Sequence, residues 1–157
     1  MLSEKAIADI KAYMAKYPDK RSAIMPALFI AQREYGWLPD EAIQELAEMF
    51  DLTATEVGSV ASFYTMYFRE KVGKHRIFFC TDLPCALAGA EKMMEHIEHK
   101  LGCKAGQTSP DGKIMLREAE CLGGCDHAPV MLIDGEEHQQ DLTKEKIDAI
   151  LERLNNS

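Results

Sequence analysis

From residue 1 to about residue 70, apolar positions recur with the spacing of amphipathic helices. Ala6, Ile7, Ile10 and Met14 share one face, and Tyr17-Pro18 ends that segment, because a residue before proline is pushed out of helical geometry. Ile24, Leu28 and Ala31 make a second stripe. Pro26 fits there only near the first turn, and Gly36 suits the left-handed position past the last one. A third helix carries Ile43, Leu46, Ala47 and Phe50, with Asp40 as its predicted N-cap. Thr53-Ala-Thr-Glu56 has the form of a capping box and opens a fourth helix with Val57, Val60, Ala61 and Tyr64. Four short helices of this kind predict a small bundle.

The period changes near residue 74. His75-Arg-Ile-Phe-Phe-Cys80 reads as a buried strand ending in a cysteine. Ala86, Ala90, Met94, Ile97 and Leu101 align along a single helix over 86–101, closed by Gly102. Asp111-Gly112 marks a turn before the strand Lys113–Arg117, and Pro129–Asp134 reads as another strand. Asp134-Gly135 signals a hairpin into Glu136–Gln140. The last helix has Thr143 as N-cap, a Leu142/Ile147 staple, and Ile150, Leu151 and Leu154 along its face. The predicted fold class is α+β: a small helical bundle over residues 1–73, then a β-α-β-β-α domain over residues 74–157. No internal repeat and no low-complexity segment appears.

Composition narrows the function classes. The 157 residues suffice for one ordinary domain or two small ones, and 46% hydrophobic with 28% charged residues is typical of a globular chain. A formal net charge of −8 argues against nucleic acid as a partner, since phosphate binding needs clustered Lys and Arg. The longest apolar run, AIMPALFIA over 23–31, is too short to cross a bilayer, so direct membrane insertion is not expected. The opening MLSEKAIADI lacks a basic region before an apolar core, so no signal peptide is expected and the predicted compartment is the cytoplasm. There, cysteines are poor candidates for structural disulfides, and five is an odd number.

Cys80 and Cys85 form C-x4-C between a strand end and a helix start, whereas Cys121 and Cys125 form C-x3-C between two strands. All four fall in loops at element ends, where two loop pairs can converge. Cys103 has no partner at ligand spacing and is expected to have no role. A thioredoxin-type redox pair needs C-x-x-C at a helix N-terminus, which neither spacing matches. Structural zinc takes tight knuckles around one tetrahedral ion; both pairs can serve, though neither is C-x2-C. A binuclear iron–sulfur cluster is longer, with two thiolates per iron, and suits wider loops. Cys125-Asp-His127 resembles half of a Rieske site, but no other cysteine has a histidine two or three residues after it. Spacing therefore favours a 2Fe–2S cluster and leaves zinc and unligated thiols open. Gly123 and Gly124 favour the cluster further, because a four-thiolate core is anionic and needs close backbone N–H groups. The helix expected after Cys85 would turn its positive end the same way. A plain turn is the competing reading of the glycine pair.

Arg21-Ser-Ala-Ile-Met-Pro-Ala-Leu28, Gly36-Trp37-Leu38, Ser62-Phe-Tyr-Thr-Met66, Gly106-Gln-Thr-Ser-Pro-Asp-Gly112 and Cys121-Leu-Gly-Gly-Cys-Asp-His-Ala-Pro129 occur in this order, with Cys80-x4-Cys85 among them. Together they resemble the E-type family of NADH–quinone oxidoreductase subunits. The resemblance runs from about residue 6 to 154, and the cysteine quartet with 35 residues between its pairs is its most specific part. It implies a helical bundle followed by a thioredoxin-like ferredoxin domain, with one 2Fe–2S cluster on Cys80, Cys85, Cys121 and Cys125. It also implies that the cluster exchanges single electrons with the FMN of a larger NADH-binding flavoprotein subunit. FMN and NADH then come only through that partner, with further peripheral-arm subunits beside it. The implied place is the cytoplasmic face of the inner membrane, as a peripheral part of a complex. Asp82-Leu83-Pro84 departs from the family pattern, where more small or hydroxyl residues are expected, and Pro84 removes one backbone donor. The diaphorase part of an NAD-linked hydrogenase or formate dehydrogenase shares this module. A free-standing zinc- or cluster-binding interaction protein is the reading from another class.

His96 and His99 sit three apart on a helix, but the flanking Glu95, Glu98 and Lys100 predict a solvated face rather than a metal site. His127, beside the cluster loop, has two readings, a group that couples reduction to protonation and an exposed turn residue, and the second is favoured. Ser62–Phe68 carries more aromatic surface than one helix face buries, which makes Phe63, Tyr67 and Phe68 candidate contacts for the flavoprotein or packing residues between the two halves. No phosphate-binding loop or nucleophile–base motif is present, so no residue is expected to act in acid–base or nucleophilic catalysis. The chain is expected to belong to an enzyme as one of its subunits, with no NADH oxidation of its own.

Overall fold

The computed structural model describes residues 1–157, which divide into two compact units, Met1–Lys71 and Val72–Ser157. The first is all-helical: α1 (Glu4–Met14), α2 (Ile24–Tyr35), α3 (Asp40–Phe50) and α4 (Ala54–Phe63), with a 3-10 turn at Lys20–Ala23. Their apolar stripes meet in one core that includes Ile10, Leu28, Leu38, Leu46, Phe50 and Val57. Ser3 Oγ accepts the Ala6 N–H at the start of α1, and Gly36 ends α2 at φ 80°. The capping box at α4 forms as predicted: Thr53 Oγ1 accepts the Glu56 N–H at 3.2 Å while Glu56 accepts the Thr53 N–H at 3.0 Å.

One expectation fails here, and one open choice is decided. Asp40 is the first helical residue of α3 and caps nothing; Pro39 takes the capping position, and the Asp40 carboxylate pairs with Arg69 instead. Tyr67 and Phe68, candidate surface contacts, are only 5% and 7% exposed. The reason is Gln32, a buried polar residue on α2. Its amide donates to the Met66 carbonyl at 3.0 Å and accepts the Phe68 N–H at 2.8 Å, so it folds the 66–68 segment onto the bundle. Phe63 stays 79% exposed, at one end of an edge-to-face run of rings through Tyr64 and Tyr67 to Phe29.

The second unit contains β1 (His75–Cys80), α5 (Leu83–Leu87), α6 (Ala90–Leu101), β2 (Ile114–Ala119), β3 (Met131–Ile133), β4 (Glu137–Gln139) and α7 (Lys144–Asn155). The sheet order is β2-β1-β3-β4, with β1 and β2 parallel and the other two pairs antiparallel. Strand alternation puts Ile77, Phe79, Ile114, Leu116, Met131 and Ile133 in the core with Met94 and Ile97 of α6 and Ile147, Ile150 and Leu151 of α7. The β3–β4 connection runs over 134–136, with Asp134 at φ 53° and Gly135 at φ 80°, both left-handed, and the Glu136 N–H donating to the Ile133 carbonyl at 3.1 Å. Thr143 Oγ1 caps α7, and Leu142 and Ile147 are both buried.

The helix expected over 86–101 is in fact two. Gly89, at φ 93°, breaks the chain between α5 and α6, and the stripe at Ala90, Met94, Ile97 and Leu101 belongs to α6 alone. The strands also shift: β2 continues to Ala119, and β3 is three residues long. No helix in the chain is long and apolar enough to cross a membrane.

Candidate metal centre

Parallel pairing brings the two cysteine segments together. Cys80, the last residue of β1, stands opposite Ala119, the last of β2, so Cys121 lies two residues beyond the same end of the sheet. The ladder continues past the strands, with the Thr81 N–H donating to the Ala119 carbonyl and the Cys80 N–H donating to the Val130 carbonyl. Cys80 is therefore held from both sides in the middle of the sheet, and its thiol points to the Glu120 carbonyl at 3.7 Å.

Cys85 lies inside α5 rather than at its start, and is buried. Pro84 occupies the first turn of α5, where its missing N–H has no intrahelical partner to lose. With only five residues, α5 offers no sizeable dipole, and the longer α6 begins only at Ala90, so the expected helix-end charge beside Cys85 is not realised. Leu83 and Leu87 flank Cys85 and are exposed, which leaves an apolar rim on this side.

The other pair is held differently. Cys121 and Cys125 are exposed, joined by a loop in which Gly123 takes φ 74° and Gly124 is buried. A Cβ added at Gly124 would lie 2.9 Å from His138 Cε1 and 3.0 Å from Val130 Cγ1, so the loop sits on these side chains only because that position is glycine. A 3-10 turn over Cys125–His127 follows. His127 Nδ1 lies 3.1 Å from Asp141 Oδ2, which ties the ring to a surface carboxylate. His96 is likewise tied to Asp148, at 2.7 Å, and forms no pair with His99. Cys103 is half-buried beside Glu98 and Asp111, away from the quartet; burial first, then those charges, raises its thiol above the ordinary range.

The four thiols sense one another in two couples. Burial pushes the Cys85 thiol up to about 11, helped by a hydrogen bond with Cys80 and by the charges of Cys80 and Cys125, against a backbone hydrogen bond from Val130. Cys125 is raised by loss of solvent at its sulfur, then by the charges of Cys121, Cys80 and Asp82 and a hydrogen bond with Cys121. Ionising all four together needs a compensating cation. No set of three or more His, Cys, Asp or Glu side chains gathers closely enough to hold a single metal ion. Two thiol couples facing one another suit a binuclear centre, which takes two thiolates per iron, better than one tetrahedral ion.

A family model described as thioredoxin-like [2Fe-2S] ferredoxin matches residues 10–155. The chain is 42% identical over 144 residues to the second E-type NADH-quinone oxidoreductase subunit of Rhizobium meliloti, covering 92% of this chain and 85% of that one. It is 40% identical over 142 residues to NADH-quinone oxidoreductase subunit 2 of Thermus thermophilus, covering 89% and 78%. The chain belongs to the thioredoxin-like [2Fe-2S] ferredoxin family, among the E-type subunits of NADH-quinone oxidoreductase. Among solved structures, it is similar to an NAD+-reducing [NiFe]-hydrogenase in its air-oxidised state, with a TM-score of 0.73 and 26% identity. That match spans 82% of this chain but only 22% of the longer hydrogenase chain. As a member of the family, the protein carries a 2Fe–2S cluster and has a ferredoxin's role, electron transfer.

The family resemblance, the α+β fold and the cofactor expected from sequence thus hold. Sequence reasoning missed Val130 and His138. Neither belongs to a cysteine motif, and only the sheet's pairing carries them to the loop.

Proposed function

We propose that Cys80, Cys85, Cys121 and Cys125 ligate the cluster, and that the chain is the electron-carrying subunit of a respiratory NADH–quinone oxidoreductase. The observation that supports this most directly is the convergence of the four thiols, as two couples, at one end of the β1–β2 pair. Bound there, the cluster supplies a one-electron redox centre. The chain's own residues hold it: β1 and α5 fix two thiols in the core, and the glycine loop presents the other two at the surface. The electron donor is an FMN- and NADH-binding flavoprotein subunit, with the whole assembly peripheral to the membrane on its cytoplasmic side. Residues 1–73 form the helical domain of this subunit and residues 74–157 its ferredoxin domain. Phe63 is the helical-domain contact that best fits such a partner, because its ring is large, aromatic and exposed.

A second reading, the diaphorase part of an NAD-linked hydrogenase, is favoured by the likeness to the NAD+-reducing [NiFe]-hydrogenase chain. The identity of the large subunits that co-purify with the native chain separates the two. Function is tested by anaerobic titration of the isolated chain and of its complex, followed by visible absorption and EPR. Dithionite should reduce both samples, and NADH should reduce the cluster only in the complex. NADH-driven reduction of the isolated chain, free of flavoprotein, would overturn this division of labour. Stoichiometric zinc without iron or sulfide in the native complex would overturn the ligand assignment.

A further inference from the structure

The Cys121–Cys125 loop rests on a small platform contributed by the β3–β4 hairpin and its flanking residues, which contain no cysteine. Antiparallel pairing sets His138 of β4 opposite Leu132 of β3, and alternation along each strand puts Val130, Leu132, His138 and Gln140 on one side of the sheet. Gly124 lies against this side. Its missing Cβ would meet His138 Cε1 at 2.9 Å, Val130 Cγ1 at 3.0 Å and Gln140 Nε2 at 3.6 Å. The His138 ring also reaches a second of the loop's three interior positions, with Nε2 at 3.1 Å from the Leu122 carbonyl. A carbonyl only accepts, so Nε2 carries the proton in this contact.

We infer that His138 is a positioning residue for the iron–sulfur centre: its ring fills the space left by Gly124 while its Nε2–H holds Leu122, which fixes the loop between Cys121 and Cys125. The inference rests on the ligand assignment proposed above. The loop is otherwise restrained by packing of Leu122 on the core and by the His127 N–H donating to the Gly124 carbonyl at 3.1 Å. Both cysteines are exposed, Gly123 adopts a left-handed conformation with open space around it, and the segment lies outside the strands. A hydrogen bond at Leu122 and a packed contact at Gly124 together restrict two of the three residues between the thiols. The first-coordination chemistry is then supported by a group sixteen positions downstream of Leu122, as outer partners commonly support metal ligands.

The test uses the full chain carrying its cluster, with iron release to a strong chelator, the reduced-state EPR g values and the midpoint potential as readouts. His138→Ala should release iron faster by about tenfold, the lower end of what loss of an outer partner does, and should shift the EPR signal. His138→Gln should restore slow release, because its amide N–H can serve the same carbonyl. His99→Ala, an exposed histidine on α6, should change nothing. Gly124→Ala should also speed release, and adding His138→Ala to it should worsen release by less than His138→Ala does alone, since both changes disrupt one contact. Release and EPR unchanged in His138→Ala, or no recovery in His138→Gln, would overturn the inference. So would circular-dichroism melts showing that both His138 variants unfold the whole chain. A wild-type protein that holds iron and sulfide, yet fails these variant tests, loses only the role of His138. One that never holds iron loses the ligand assignment first.

Discussion

Cys80 and Cys85 are core residues, whereas Cys121 and Cys125 stand at the surface. The first pair is fixed by regular structure: a central strand with neighbours on both sides, and a helix whose buried face includes the sulfur. The second is fixed by a turn that uses glycine for its shape and borrowed side chains for its support. Under the proposed ligand assignment, one metal centre is half foundation and half fitting. On that proposal, removing a core thiol should disturb the fold as well, whereas removing a surface thiol should disturb the cofactor alone.

Iron content gives the largest effect and tests whether the pairs are equal as ligands. Cys85→Ala and Cys121→Ala should each lose the cluster, because either change leaves an iron with an incomplete thiolate set. Cys103→Ala should retain it. Iron and sulfide assays on anaerobically purified variants check this, and an empty site in Cys103→Ala would break the pairing.

The metal-free protein sharpens the contrast. Cys85→Ser places a hydroxyl in a site only 1% exposed, and should lower unfolding stability by about 1–3 kcal/mol. Cys125→Ser, at the surface, should change it far less. Denaturant unfolding of the two apo variants measures the difference, and equal losses would remove the distinction between the pairs.

A smaller effect is expected from pH. The folded state holds the Cys85 thiol at about 11, above its ordinary range, so folding favours the neutral form. This contribution to apo stability is complete below the ordinary thiol pKa and declines as pH rises toward about 11. The expected result is an apo melting temperature that falls across that window, with a smaller fall in Cys85→Ala.

What was legible in the sequence follows the range of the interactions. The capping box at Thr53 and Glu56, the glycine end of α2 and the Asp134-Gly135 hairpin are set within a few residues, and all three form as read. The continuous helix over 86–101 failed because the apolar spacing runs through Gly89 without a proline or polar interruption. Tyr67 and Phe68 looked like surface because the group that draws their segment inward, Gln32, lies more than thirty residues earlier. At the site, the spacing of the cysteines pointed to two loop pairs at element ends. This holds for Cys121 and Cys125, whereas Cys80 is the last residue of β1 and Cys85 lies inside α5. The support beneath Gly124 was invisible, since it depends on which face of β4 turns toward the loop.

The run of rings from Phe63 through Tyr64 and Tyr67 to Phe29 has a practical corollary for optics. All five tyrosines and the single tryptophan, Trp37, fall within Met1–Lys71, and every cysteine falls within Val72–Ser157. Tyrosine and tryptophan emission from this protein therefore arises in the helical unit, while the visible colour of an iron–sulfur centre held by its cysteines arises in the other. A single heating scan recorded in both bands follows each unit by its own signal, without any added label.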